Sequence, residues 1–403
     1  MDKLHIKSEI ETLKRVLVHR PGQELSNLTP KYLPEQLFDD IPWLLEAQKE
    51  HDAFVDVLRE NKVEVVYLVD LASEAIADKR VRKLFIEQFI AESYINNSVT
   101  IHKMRDYLSS LETKELIKVT MAGIRKSQLP GYKKESLRSY IEDYPFVSDP
   151  MPNLYFTRDC ACAIGNGISI NRMKNEVRRR EAIYIDFIFK YHPDYKDTEH
   201  FYDREETSSL EGGDIMVLSD SVIAIGISER TEPDAIEVLA KRLFLKGGWQ
   251  TIIAVYLPKQ RTFMHLDTVI TQVSDRMFVA HHEFIDKIDH FIIKPGQKPN
   301  TLRIIPYKDK LAKTFSKFLG APVTFIPCGG NDGVASDREQ WNDGANTLAL
   351  SPGKVIVYAR NTITNEILKS HGIEVIAIRS SELARGRGGP HCMSMPLFRQ
   401  PSH

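Results

Sequence analysis

Asp214-Ile215-Met216-Val217-Leu218-Ser219-Asp220-Ser221-Val222-Ile223-Ala224-Ile225 begins with an acid, runs through apolar residues, turns at three polar residues and returns through a second apolar run. Two β-branched runs about a short polar turn read as a β-hairpin. The same order starts again at Asp159, at Asp267 and at Asp343, where Asp159-Cys160-Ala161-Cys162-Ala163-Ile164 turns at Gly165-Asn166-Gly167. Helix-then-strand material fills the gaps, as in Pro233 to Leu245 followed by Thr251-Ile252-Ile253-Ala254-Val255-Tyr256-Leu257. The repeated unit is therefore strand, strand, helix, strand. The N-terminus supplies another, with a strand and turn at Arg15 to Pro21, apolar residues at helical spacing from Ile41 to Asn61, and a returning strand from Val63 to Val69. With about five such units, radial packing around a centre is a natural arrangement for an α/β chain of strand-strand-helix-strand units.

From Leu71 to Tyr144 strand signals nearly vanish, and runs such as Val81-Arg82-Lys83-Leu84-Phe85-Ile86 keep helical periodicity until Asp149-Pro150. This predicts a helical subdomain inserted over residues 71–148, between a first propeller unit (1–70) and the remaining units (149–403), which form one catalytic domain with it. The 403 residues carry 54 Lys plus Arg against 55 Asp plus Glu, so no global field favours nucleic acid or an anionic membrane. No signal-peptide core and no membrane-length apolar run is present, and a cytoplasmic protein is expected. Four cysteines in so long a chain fit a reducing compartment. Cys160 and Cys162 lack a second ligand pair at zinc spacing, so they are expected to pack, and no metal is expected.

Near the end of the chain a glycine-rich approach, Gly386-Arg387-Gly388-Gly389, delivers Cys392, a candidate nucleophile, with glycines allowing backbone angles other residues resist. Three other stretches offer partners. Asp159 follows Phe156-Thr157-Arg158 where a loop enters a strand, Glu211 and Asp214 flank a glycine pair, and His265 and Asp267 stand at i and i+2, on one face of an extended strand. His391 would point away from its neighbour Cys392 on a strand, which favours His265 as the thiol's partner. His281-His282 has no acidic or cysteine companion at metal spacing and reads as surface or packing. Carboxylates oppose thiol ionisation, and the conflict resolves if the substrate is a cation that the acids hold and whose charge helps generate the thiolate. A planar guanidinium suits such a grip.

Five stretches in one order, Met151 to Asp159, Leu210 to Asp214, Gly226 to Thr231, Met264 to Thr268 and His391 to Leu397, together with the opening Glu11 to Gly22, resemble the arginine deiminase family over essentially the whole chain. The resemblance implies a pentein fold, a five-bladed α/β propeller with a helical bundle inserted after the first unit. It also implies hydrolysis of L-arginine to L-citrulline and ammonia, with no cofactor. Cys392 matches the nucleophile, His265 the general acid/base, Asp159 and Asp267 the guanidinium-binding acids, and Glu211 the acid supporting the histidine. Arg178, Arg230 and Arg387 match residues that receive the substrate's carboxylate, with Asn153 and Phe156 lining the pocket. A homo-oligomer, dimer or tetramer, is expected. The chain departs from the family where Cys160-Ala161-Cys162 replaces the usual Pro-Phe-Ala behind Asp159. The same thiol, histidine and acids could also serve an amidinotransferase, or a non-catalytic arginine-binding protein.

Overall fold

β1 (Thr12–Val18) runs into the helix Leu44–Glu60 and returns as β2 (Glu64–Tyr67), parallel to β1. That helix forms because Ala47, His51, Phe54, Val55 and Leu58 fall on one buried face. The computed structural model describes residues 3–134, 137–141, 143–282 and 288–401. The expected strand to Val69 stops at Tyr67, because Leu68, Leu71, Ala72 and Ala75 fall at helical spacing and bury one face of the helix Leu68–Ala75.

Three more helices follow, Lys79–Ala91, Ser98–Ser110 and Thr113–Ala122. Asp78 and Asn97 cap the first two by accepting backbone N–H bonds, and Gly123, at φ 78°, ends the third. Phe85 meets Phe187 edge-to-face at 5.2 Å, so these helices share an apolar core with the β-sheet body. A short antiparallel ribbon, β3 (Ile124–Arg125) and β4 (Phe146–Ser148), leads back.

The hairpin-helix-strand unit then repeats. It appears as β5 (Ala161–Ile164), β6 (Gly167–Ile170), the helix Ala182–Tyr191 and β7 (Glu199–Tyr202). Next come β8 (Ile215–Val217), β9 (Val222–Ile227), the helix Pro233–Arg242 and β10 (Thr251–Tyr256). β11 (Ile270–Ser274) and β12 (Met277–Ala280) form the next hairpin. Before this unit is completed, β13 (His290–Pro295) and β14 (Leu302–Tyr307) extend the preceding sheet, giving the order β14-β13-β10-β9-β8. The helix Leu311–Leu319 and β15 (Thr324–Pro327) follow, and β16 (Leu348–Ser351), β17 (Lys354–Tyr358), the helix Thr362–Ser370 and β18 (Glu374–Ile378) form the last full unit. All four hairpins expected from sequence are present.

The first unit takes its missing strand from the other end of the chain. β19 (Met395–Gln400) pairs antiparallel with β1, giving the order β19-β1-β2. β19 also touches β5, β16 touches β1, and β11 touches β16, so the sheets neighbour one another across the molecule. Cys392 lies just before β19, and this pairing carries the end of the chain back to the middle of the fold.

Candidate active site

The acids do not sit on strands. Asp159 lies in the one-turn helix Thr157–Cys160, Glu211 caps the turn Gly212–Asp214, and His265 caps the one-turn helix Leu266–Val269 that contains Asp267. Each turn immediately precedes a hairpin, and the turn Gly212–Asp214 touches both of the others. Asp214 joins two units: its Oδ1 accepts the backbone N–H of Leu266 at 2.9 Å and its Oδ2 accepts the hydroxyl of Ser228 at 2.7 Å. The expectation of one extended face for His265 and Asp267 fails because the chain turns helically there, yet both remain buried at the same centre.

A small, tight cavity is lined by Leu37, Asn153, Phe156, Asp159, Arg178, Arg230, Met264, His265, Gly386, Arg387 and Cys392. The thiol's polar neighbours are Asn346, whose Nδ2 donates to Sγ at 3.1 Å, and Asp267, whose Oδ2 lies 3.5 Å from Sγ. His265, expected as the thiol's partner, lines the same cavity but bonds elsewhere, with Nε2 2.8 Å from Glu211 Oε2 and Nδ1 3.7 Å from Asp159 Oδ1. Of the two aspartates expected to grip a guanidinium, each has one buried oxygen, Asp159 Oδ1 and Asp267 Oδ1, without a hydrogen bond among the described residues. A buried acceptor left unpaired is costly, so a ligand donor at this place would be well rewarded.

His391 departs most from the sequence reading. Residues 390–393 form a turn, so the alternation argument does not apply, and His391 bridges Asp267 Oδ2 at 2.8 Å to Glu9 Oε2 at 3.1 Å. Sequence reasoning also missed Glu9, Asn346, Leu37, Met264, Glu181 and Trp341. His391 alone carried a signal, its adjacency to Cys392.

Arg178 also differs from expectation. Its Nη1 donates to Asp159 Oδ2 at 2.8 Å and its Nε to Glu181 at 3.0 Å, so its guanidinium positions the acid while it also lines the cavity. Cys160 extends the chain of contacts, its Sγ lying 3.6 Å from Glu181 Oε2. Burial, with Glu181 beside it, holds that thiol well above its usual pKa, so it stays a donor. Cys160 and Cys162 both pack in the apolar core, as expected. The departure from the family pattern therefore places small side chains behind Asp159 while Arg178 and Glu181 fix its carboxylate. Asp159, Glu211 and His265 also lie close enough together to share a metal ion, but Arg178 Nη1, 2.8 Å from Asp159 and 3.9 Å from Glu211, already supplies the balancing charge.

Arg230 also lines the cavity: Nη1 lies 3.6 Å from Glu211 Oε2, and Nε and Nη1 make no hydrogen bond among the described residues. Arg387 is held by stacking, its guanidinium carbon 3.4 Å from the centre of the Trp341 ring. It is Arg387 that takes the left-handed backbone, at φ 65°, while the flanking glycines give closeness instead of unusual angles. A Cβ on Gly388 would stand 2.4 Å from Phe156 Cε1, and one on Gly213 would stand 2.7 Å from His265 Nδ1. Glu50, on the helix Leu44–Glu60, anchors the same loop by accepting the backbone N–H groups of Ser381, Glu382 and Leu383. Asn153 donates to Gln36 O at 3.0 Å and holds Leu37, itself at φ 62°, at the cavity.

The titrating groups divide sharply. Burial, reinforced by Asp267, Asp159 and Asp343, holds the Cys392 thiol well above its usual pKa. Burial alone would lower His265, but Asp159, the Glu211 hydrogen bond and Asp214 outweigh it and raise its pKa to about 9. Burial disfavours the Glu211 carboxylate, but Arg230, His265 and Arg178 together bring its pKa down to about 2. Asp267 is likewise lowered despite its burial, chiefly by His391. The resting pair at neutral pH is a protonated imidazole and a neutral thiol.

A family model described as arginine deiminase matches residues 35–399. The chain belongs to the arginine deiminase family. Arginine deiminases from Borrelia duttonii and from Bacillus cereus (strain ATCC 10987) are each 46% identical to it, over 98% of both chains. Among solved structures, dimethylarginine dimethylaminohydrolase from Pseudomonas aeruginosa matches 95% of this chain and 99% of its own at a TM-score of 0.53 and 18% identity. An amidinotransferase from Microseira wollei matches 99% and 98% at a TM-score of 0.57 and 15% identity. At such identities these likenesses speak for the fold, a pentein arrangement of ββαβ units, and this arginine deiminase family chain shares it.

Proposed function

We propose that this chain hydrolyses L-arginine to L-citrulline and ammonia through a covalent intermediate on Cys392. The observation that carries the proposal is the two buried carboxylate oxygens without a hydrogen bond, Asp159 Oδ1 and Asp267 Oδ1, beside a thiol that contacts Asp267. A guanidinium has N–H donors on both edges of a plane, and two carboxylates can hold it with its carbon presented to the sulfur. Its positive charge offsets the carboxylate field that keeps the thiol protonated, so the thiol releases its proton once substrate is bound.

Cys392 Sγ then attacks the guanidinium carbon, and His265, protonated at rest, donates a proton to the departing ammonia. The resulting S-alkylthiouronium keeps its place between the aspartates. Neutral His265 next takes a proton from water and the hydroxide adds to the same carbon; the carbon–sulfur bond then breaks as the new hydroxyl gives its proton to the departing sulfur, releasing citrulline and restoring the neutral Cys392 thiol and the protonated His265. Glu211 holds His265 in position and favours its charged form. Arg230 and Arg387 receive the substrate's α-carboxylate.

We further expect a cytoplasmic homo-oligomer, dimer or tetramer. Among the described residues no helix is long and apolar enough to cross a membrane. The functional test is product analysis: purified protein with arginine alone yields citrulline and ammonia in equal amounts. Turnover that requires an added amine would indicate an amidinotransferase, and binding without turnover a non-catalytic arginine-binding protein.

A further inference from the structure

Away from the cavity just described, the residues that follow β12 face the helix Gly333–Trp341. There the histidine pair set aside in the sequence meets an acid that linear spacing did not reveal. One donor atom each from His281, His282 and Asp337 lie within 4.8 Å of one another. His281 Nε2 stands 3.8 Å from Asp337 Oδ1, and the two imidazole rings are 4.4 Å apart at 47°. We propose that His281, His282 and Asp337 form a binding site for a divalent transition-metal ion of the zinc class. Two imidazoles and one carboxylate are borderline ligands of the kind zinc accepts, and three protein donors leave a position for water.

The surroundings favour such a site. Ser336 donates its single hydroxyl proton to the carbonyl of Cys328 at 2.8 Å, so toward His282 Nδ1, 2.9 Å away, it can only accept. That contact puts the ring proton on Nδ1 and leaves Nε2 as the electron-pair donor, the usual outer support for a metal-binding histidine. His281 is fixed from the other side, its backbone N–H donating at 2.8 Å to Val269 O at the end of the turn that carries Asp267. Asp337 pairs with His281, and among the described residues no lysine or arginine forms an ion pair with it.

The location gives the site a consequence. The helix bearing Asp337 also carries Gln340, whose Nε2 donates to Thr268 O at 2.7 Å, and Trp341, the platform for Arg387. A bound ion would tie the end of β12 to this helix and so brace two walls of the arginine cavity. It would take no part in the deimination chemistry.

The test uses the full-length protein, stripped with a chelator and titrated with Zn²⁺ by calorimetry and with Co²⁺ by visible absorption. His282 and Asp337 are both exposed, so His282→Ala and Asp337→Asn are expected to fold and to keep metal-free citrulline formation. The expected result is one ion per chain and a Co²⁺ spectrum without a sulfur-to-metal charge-transfer band. Affinity should fall by about tenfold or more in each variant. Absence of binding in the unaltered protein, binding unchanged in both variants, or a thiolate band that marks Cys392 as the ligand would each overturn the proposal.

Discussion

Glu211→Gln removes one negative charge from His265 while keeping a hydrogen-bonding side chain of the same size. In the structure Glu211 Oε2 lies 2.8 Å from His265 Nε2, and the histidine is raised from 6.5 to about 9 by Asp159, Glu211 and Asp214 acting against burial. At about 1.4 kcal/mol for each tenfold change, that rise represents roughly 3.5 kcal/mol of preference for the imidazolium. Glu211 supplies both a hydrogen bond and a charge, and a charge-assisted hydrogen bond contributes roughly 1.5 kcal/mol. Because His265 must be protonated to release ammonia, activity is present below its pKa and is lost as pH rises through it. The assay is kcat/KM for citrulline formation across pH. The unaltered protein should keep its alkaline limb near pH 9, and Glu211→Gln should bring it to about pH 8. Glu211→Asp, which keeps the charge, should fall between. An alkaline limb that stays in place or moves upward in Glu211→Gln would refute this account of the histidine. Melting curves would show whether Arg178 and Arg230, deprived of their common carboxylate, also weaken the fold.

Arg230→Ala should raise KM for arginine by about 10- to 100-fold with a smaller change in kcat, as expected for a charged contact of roughly 1.5–3 kcal/mol. Agmatine, the substrate's decarboxylated analogue, should be far less affected, and equal losses on both substrates would argue against a carboxylate contact. Gly388→Ala places a Cβ 2.4 Å from the Phe156 ring and should raise KM by displacing the loop that carries Arg387; an unchanged KM would show that the loop adjusts freely. Asp343 has φ 57° and burial raises its pKa from 3.8 to about 7, so its ionisation opposes folding increasingly across that interval. Asparagine tolerates the same backbone, so Asp343→Asn should raise the melting temperature at pH 8 and lose that advantage below about pH 4.

The hairpins were legible because hydrophobic alternation and polar turns are local properties, and four acid-led repeats marked their starts. The strand pairing that completes the first unit was not, since β19 lies far from β1 in sequence and nothing within Met395–Gln400 names its partner. Cys392, His265, Glu211, Asp159 and Asp267 could be picked out from motifs, but their contacts depend on how one-turn helices point side chains inward. Strand alternation therefore gave the wrong direction for His391, which supports Asp267 from a turn. Arg178 was seen as a cation without its partners, because the contact with Glu181 is visible only when the 3₁₀ turn Glu176–Glu181 is folded against Asp159. Glu9, Asn346 and Trp341 carry no local signal, and each enters the centre from a distant part of the chain. His281 and His282 looked isolated for the same reason, because Asp337 approaches only through the packing of its helix.

The central claim is that Cys392 forms a bond to the carbon of a guanidinium held by Asp159 and Asp267. Its most direct test is rapid acid quenching of the protein during arginine turnover, followed by mass measurement of the peptide containing Cys392. The account predicts a species heavier by arginine less ammonia on that peptide, absent from Cys392→Ser, which should also make no citrulline. Citrulline formation at an undiminished rate by Cys392→Ser would contradict it.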